Sequence, residues 1–194
     1  MALKRPVLPP VFRARDLPGL GMGRSTLRSM QRAGQVEAIG RGLYRRTDAK
    51  PTELETVAAV CARAPGAVVC LLTALAMHDI GTQLPPEVWI AIDRKARKPR
   101  FDDLPVRIVR FSGAMLTYGV GTRMVEGVSV KVTSPARTVV DCFRYRNKIG
   151  LDIALEALRD GLARRLATPD EVVRAAEVCR IQTVVRPYLQ ATLA

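Results

Sequence analysis

Long hydrophobic runs are missing from this chain. The longest nearly apolar stretch, Ala67 to Met77, is eleven residues and contains Thr73, well short of the ~20 residues that a membrane-spanning helix needs. The N-terminal MALKRPVLPPVF has basic residues but no apolar segment leading to a small-residue cleavage site, so no secretory signal is expected and the chain is read as cytoplasmic. Histidine is nearly absent: His78 is the single one. Cys61, Cys70, Cys142 and Cys179 lie 9, 72 and 37 positions apart without a C-x-x-C pair, which argues for buried reduced thiols and against zinc or a disulfide framework. No serine sits in G-x-S-x-G, so nucleophile-and-base hydrolysis has no footing. His78, at the end of an apolar helix, suits a structural role at the C-terminal dipole. Acidic residues are also scarce, 18 against 31 basic ones, for a net charge of +13.

What is present is a chain of 194 residues, 48% hydrophobic, enough for one domain or a small module joined to a larger one. The charge is uneven. Residues 1–50 carry a net +8, residues 51–150 carry +5 and residues 151–194 are neutral. A basic field of this kind attracts polyanions without specifying which one.

The segment VFRARDLPGLGMGRSTLRSMQRAGQVEAIGRGLYRR, from Val11 to Arg46, has a readable order. Phe12 to Leu17 predicts one or two helical turns, and Pro18-Gly19 with Gly21 and Gly23 predicts a turn. A second helix follows, with Ser25 as N-cap, Leu27 and Met30 facing a core and Gly34 just past its end. Arg24, Arg28, Gln31 and Arg32 fall on the other side. Val36–Ile39 and Leu43–Arg45 then predict two strands around Gly40-Arg41-Gly42. Helix, turn, basic helix and arginine-tipped hairpin form the order of a winged helix-turn-helix, whose second helix suits the major groove and whose wing reaches phosphate or the minor groove. The competing reading is an ordinary solvated helix face. Arg24, Ser25, Thr26, Arg28, Arg32, Arg41 and Arg45 are the candidate DNA contacts, with Lys4 and Arg5 as a weaker phosphate-touching arm. The prolines of KRPVLPP rule out a regular helix ahead of Phe12. GLGMGRST imitates a phosphate loop but lacks the Walker spacing and lysine.

TDAKPT, Thr47 to Thr52, reads as a linker, dividing the chain into a DNA-binding domain over residues 1–48 and a second domain over residues 52–194. Leu54, Val57, Ala58 and Cys61 predict a helix ended by Pro65-Gly66, and Val68 to Met77 predicts a second, more apolar one. Val88–Ile92, Val106–Phe111 and an extended Val125–Val132 interrupted at Glu126-Gly127 predict strands. Ser134-Pro135 starts a helix through about Tyr145. Leu151, Leu155, Leu158 and Leu162 mark another, and Thr168-Pro169-Asp170-Glu171 is a capping box. A last helix covers Val184 to Leu193 and contains Pro187. The expected class is α+β: an N-terminal winged helix-turn-helix followed by a mixed α/β domain ending in a helical cluster.

Arg94, Lys95, Arg97, Lys98 and Arg100 crowd one loop after the strand ending at Ile92. Such a charge run is either a solvated loop or a nucleic-acid or partner-binding surface. Catalytic groupings are poor. Asp102-Asp103 lacks a third carboxylate at metal spacing, and Glu126 with Lys131 has the wrong spacing for a nuclease pair, so both read as exposed loop or turn. No catalytic residue, metal site or cofactor is expected.

Taken together, GQVEAIGRGLYRR, VVCLLTALAMHDIGTQLPPEVWIAI, RKARKPR, VRIVRFSG and SPARTVVDCFRYRNKIGLDIALEALRDGL give the chain an order and spacing that resembles the AbiEi family of antitoxins over nearly its whole length. That resemblance implies a winged helix-turn-helix that represses its own operon. It also implies a C-terminal domain that counteracts a co-transcribed AbiEii-type nucleotidyltransferase toxin, in a type IV system where no stable toxin complex is required. The implied partners are double-stranded promoter DNA and the cognate toxin, with no membrane. The implied DNA-reading helix corresponds to Arg24–Ala33 and the wing to Val36–Arg46. The Gly-Ser followed by paired aspartates expected of the toxin is absent, so the chain looks like the antitoxin partner. An orphan winged-helix transcription factor with a ligand- or partner-sensing second domain is the alternative. A third possibility is an RNA-binding or nucleic-acid-processing enzyme that uses the 94–100 loop.

Overall fold

Apolar and β-branched residues at Val11 and Phe12 place a strand, not a helical turn, at the start of the described chain. In a computed structural model, which describes residues 8–40, 42–49 and 52–194, β1 (Val11–Arg13) pairs antiparallel with β3 (Leu43–Arg46), which pairs with β2 (Val36–Gly40). The expected helical turns begin later, as a 3-10 helix over Ala14–Leu20. Pro18 and Gly19 lie inside that helix, so the turn falls on the glycines that follow. The Asp16 carboxylate accepts from the Arg13 amide at 3.2 Å and holds its first turn. α1 (Arg24–Arg32) comes next, and α2 (Glu55–Arg63) completes the unit. Lys4 and Arg5, and Arg41 at the wing tip, lie outside the described residues.

Two compact units make up the chain, and neither is continuous in sequence. The first takes in the residues up to Pro65 with 101–104 and 123–130, and the second the remainder. In the first, Leu8, Phe12, Leu17, Leu27 and Val36 form one core cluster, with Phe12 stacked on Tyr44 at 5.9 Å between ring centroids. Val11, Leu43, Ala59 and Ala62 form another, which ties α2 to the three-stranded sheet.

The second unit is built on a mixed sheet in the order β6-β5-β4-β8-β7, made of β4 (Val68–Val69), β5 (Val88–Asp93), β6 (Val106–Phe111), β7 (Val120–Val125) and β8 (Val128–Thr133), with the 123–130 end of the last two strands belonging to the first unit. One expectation fails here. Val68 to Met77 is not a single helix: Val68 pairs with Ala91 of β5 and with Lys131 of β8, so the pair Val68-Val69 is the central strand and α3 covers only Leu71–Met77. The chain turns into α3 at the helix's first residue, the buried Leu71, whose φ is +50°. A continuous apolar run buried on both faces has no periodicity by which strand and helix could be told apart. Glu126-Gly127, both at positive φ, close the β7–β8 hairpin.

Helices then cover the sheet: α4 (Pro135–Arg144), a short α5 (Arg146–Ile149), α6 (Leu151–Ala163), α7 (Pro169–Val178) and α8 (Gln182–Leu193). Their starts follow the local signals. The Ser134 hydroxyl accepts from the Arg137 amide at 3.4 Å, and Thr168 and Glu171 form the reciprocal capping box at 3.3 and 2.9 Å. His78 caps α3, its Nε2 lying 2.6 Å from the Thr133 carbonyl oxygen. All four cysteines are buried and free. The fold is α+β, as the sequence indicates.

At the centre of this unit lies an ion pair with no solvent access. Arg137 and Asp141 both have 0% side-chain exposure, and Arg137 Nε donates to Asp141 Oδ1 at 3.0 Å. The remaining guanidinium nitrogens donate to the carbonyls of Tyr118 at 2.8 Å and Met115 at 3.0 Å, above the Phe111 ring. Gly119 makes room for this, since a Cβ there would sit 2.9 Å from Arg137 Cβ. Asp141 Oδ2 has no partner among the described residues.

Burial pushes the Asp141 carboxyl up to about 6, against the opposing pull of Arg137. The folded protein therefore holds this proton more tightly than the unfolded chain does, whose carboxyl titrates near 3.8. Its contribution to stability is complete below that value and is lost as pH rises through about 6. Urea midpoints should thus shift in favour of the fold by about 1 kcal/mol for the wild type between pH 6 and pH 5, and Asp141→Asn should flatten that change. Removing the guanidinium with Arg137→Ala should cost about 3–5 kcal/mol, read from the same unfolding curves, because it leaves a buried carboxyl unpaired.

Candidate nucleic-acid interface

α1 is amphipathic. Leu27 is buried and Met30 half-buried against the unit's core, while Arg24, Ser25, Thr26, Arg28, Gln31 and Arg32 are exposed. Ser25 does not cap the helix, contrary to expectation. Gly23, in extended conformation at φ −96° and ψ 170°, is the N-cap, and Arg24 already opens the helix. Ser25 consequently projects from the first turn, beside amide groups that no side chain caps. Such an end is suited to a phosphate. At the other end Gly34 (φ +67°) closes the helix, with the Gly34 amide on Gln31 O at 3.1 Å and the Gln35 amide on Met30 O at 2.9 Å. That is the glycine termination expected at this position.

Arg24, Arg28 and Arg32 follow one another at i, i+4 and i+8, and none of them is in an ion pair among the described residues. Like charges at i, i+4 oppose helix formation by a few tenths of a kcal/mol per pair. The stripe therefore lacks an internal reason to exist, and a polyanion would relieve it.

The other arginines of this unit are differently employed. Arg45, expected at the DNA, donates from Nε to Glu37 at 2.7 Å and from Nη1 to Glu55 at 2.6 Å, joining the wing strands to α2. Arg46 is held by Asp48 at 2.8 Å and by the Leu8 carbonyl at 2.9 Å. Arg63 forms a two-pronged pair with Asp103, one arm at 2.5 Å, and packs so closely on Gly40 that no Cβ fits between them. The sequence offers Asp103 only as half of the Asp102-Asp103 pair and gives no sign of Arg63, because the two partners are forty positions apart. The spacing of Arg137 and Asp141 at i, i+4 within the apolar TVVDCF stretch was a usable signal for the buried pair.

In the second unit Arg94, Lys95, Arg97, Lys98 and Arg100 are all exposed. The loop is nevertheless folded back on itself. Asp93 Oδ1 accepts the Lys95 amide at 2.6 Å, and Arg110 Nη1 donates to the carbonyls of Asp93 at 2.8 Å and Ala96 at 2.5 Å. Asp102 and Asp103 are exposed, and Glu126 sits in a hairpin turn where it accepts the Thr52 hydroxyl at 2.6 Å. Among the described residues no group of three or more His, Cys, Asp or Glu side chains is placed to hold a metal ion. Nor, among the described residues, is any helix long and apolar enough to cross a membrane.

A 3-10 helix, a glycine turn, a basic helix and a three-stranded sheet ending in a hairpin define a winged helix-turn-helix module. The same stretch, residues 8–47, matches the family model described as "Transcriptional regulator, AbiEi antitoxin". The family resemblance read from the sequence is thereby found over the N-terminal segment. Among solved structures, the RV2827C protein from Mycobacterium tuberculosis is similar in fold with a TM-score of 0.58 and 16% identity, over 95% of this chain and 76% of that one. No curated protein matches the chain.

Two substitutions separate scaffold from surface. Gly40→Ala pushes the end of the Arg63 side chain off the wing and should cost no more than about 1 kcal/mol in denaturant unfolding, the worth of its half-exposed ion pair with Asp103. Replacing Arg24, Arg28 and Arg32 together by Gln should leave stability within about 0.5 kcal/mol of wild type or raise it slightly.

Proposed function

We propose that the chain is the antitoxin of a type IV toxin-antitoxin system, binding its own promoter as an autorepressor and counteracting a co-transcribed AbiEii-type nucleotidyltransferase toxin. On this reading residues 1–48 meet the DNA and residues 52–194 act on toxicity, in the cytoplasm and in the service of phage defence. No catalytic step is assigned to the chain itself. The observation that carries the proposal is the unpaired stripe Arg24, Arg28 and Arg32 on the helix of a winged module whose sequence matches a family of antitoxin transcriptional regulators.

Arg24, Ser25, Thr26, Arg28 and Arg32 are the direct contacts in this proposal, together with Arg41 between the two wing strands. Arg45 acts by holding the wing to α2. Base edges are read by arginine forks from α1, while the hydroxyls and the uncapped helix start bind phosphate. The loop carrying Arg94, Lys95, Arg97, Lys98 and Arg100 is proposed as an additional polyanion or partner contact, supported by its exposure and its folded-back backbone.

Promoter-binding curves on an inverted repeat upstream of the gene, taken over a salt series, test the DNA reading. Arg28→Ala with Arg41→Ala should weaken binding by at least tenfold and reduce the salt slope by about 1 for each phosphate contact removed. Unchanged affinity at moderate salt would sink the assignment of α1 and the wing. Co-expression with the neighbouring toxin gene tests the second half: restored growth supports the antitoxin, and failure to restore it favours an orphan regulator with a sensing second domain.

A further inference from the structure

A cleft of about 430 Å³ opens in the first unit, floored by Val11, Phe12, Leu20, Ala62 and Val128. Its size falls in the range of small-molecule sites, and its walls are largely apolar as those sites are. Two cations and one carboxylate, Asp16, stand on the same cleft. Arg15 has only a 3.8 Å approach to the exposed Asp16, and the half-buried Arg13 guanidinium has no acceptor among the described residues. Burial lowers the Arg13 pKa, with Arg15 adding to the effect and Asp16 opposing it. A partly desolvated cation without an anion is costly, and a bound anion would supply the missing hydrogen bonds. A DNA phosphate would satisfy the arginines but leave the apolar floor uncovered.

We infer that this cleft binds a small organic anion, a carboxylate or phosphate ester on an apolar body, with Arg13 and Arg15 holding the charge and the floor covering the body. The position gives such a ligand a route to α1. Phe12 and Leu20 line the cleft and also pack in the cluster that contains Leu27 and Met30 of α1. An occupant that shifts Leu20 therefore shifts the support of the basic helix. Binding itself stands independently of the DNA reading; only its effect on promoter affinity rests on that reading.

Isothermal titration of the full chain with phenylacetate, phenyl phosphate, acetate and benzyl alcohol tests the inference. Phenylacetate or phenyl phosphate should bind saturably at one site, with the tighter of the two naming the head group. Acetate, which lacks the body, and benzyl alcohol, which lacks the charge, should bind about tenfold more weakly. Arg13→Gln should weaken the aromatic anion by about tenfold, the loss of one charge-assisted contact. Gly19→Leu should also weaken it, since a side chain built there enters open space at the cleft, meeting nothing within 4 Å. Thermal melts within a few degrees of wild type would show that both variants fold. Absence of binding by both aromatic anions overturns the inference, and so does equal affinity in wild type and Arg13→Gln. Loss of promoter binding in Arg13→Gln with aromatic-anion affinity intact would make the arginine a DNA phosphate contact and overturn it as well.

Discussion

Arg137 lies fully enclosed, with its guanidinium bound to one carboxylate and two backbone carbonyls. An ion moved out of water is tolerated only when its hydrogen bonds are replaced, so α4, the Met115–Tyr118 segment and the Phe111 ring can coexist only in this one arrangement. Asp141 extends the constraint toward Cys179, whose Sγ lies 3.9 Å from Oδ1. Because one carboxylate oxygen remains without a partner, the pair specifies the packing more than it strengthens it. The core helices and the sheet of the second unit are ordered around this point.

The rest of the protein uses the same side chain in other ways. Arg45, Arg46 and Arg63 stitch backbone segments of the first unit together through carboxylates, half in and half out of solvent. Arg24, Arg28 and Arg32 have no such partner and stand along one helix. A surplus of arginine therefore does not mean a surplus of binding residues. Setting aside those that already have carboxylates leaves basic side chains in several places, and they gather most closely in the stripe on α1 and the 94–100 loop, with Arg13 at the first unit's cleft. Part of the net charge of +13 is available there to something outside the chain.

Much of the fold was legible where short-range chemistry decides it. The caps at Ser134 and Thr168, the glycine termination at Gly34, the pairing of the two wing strands and the strands expected at 88–92 and 106–111 follow from local signals. Val68-Val69 was not, because its identity as a strand depends on β5 and β8 arriving on either side. Ser25 was misplaced by two residues since a serine and a nearby glycine compete for the cap, and the backbone of Gly23 takes it. At the site, the exposure of the α1 arginines was predictable from periodicity. The engagement of Arg45 with Glu55 was not, since it depends on α2 returning to the sheet.

Sequence by itself determined the α+β class, the order of the winged module and its basic helix, and the concentration of charge toward the N-terminus. Each is a property of neighbouring residues: helix caps, apolar spacing and composition. Tertiary structure alone decided which arginines are spent and which are available, and that an apolar cleft opens beside two of them. Ion pairs such as Arg63 with Asp103, and the cleft walls drawn from β1, α2 and the 127–129 turn, join residues far apart in the chain. Their energies depend on burial and geometry, which appear only when the chain has closed on itself.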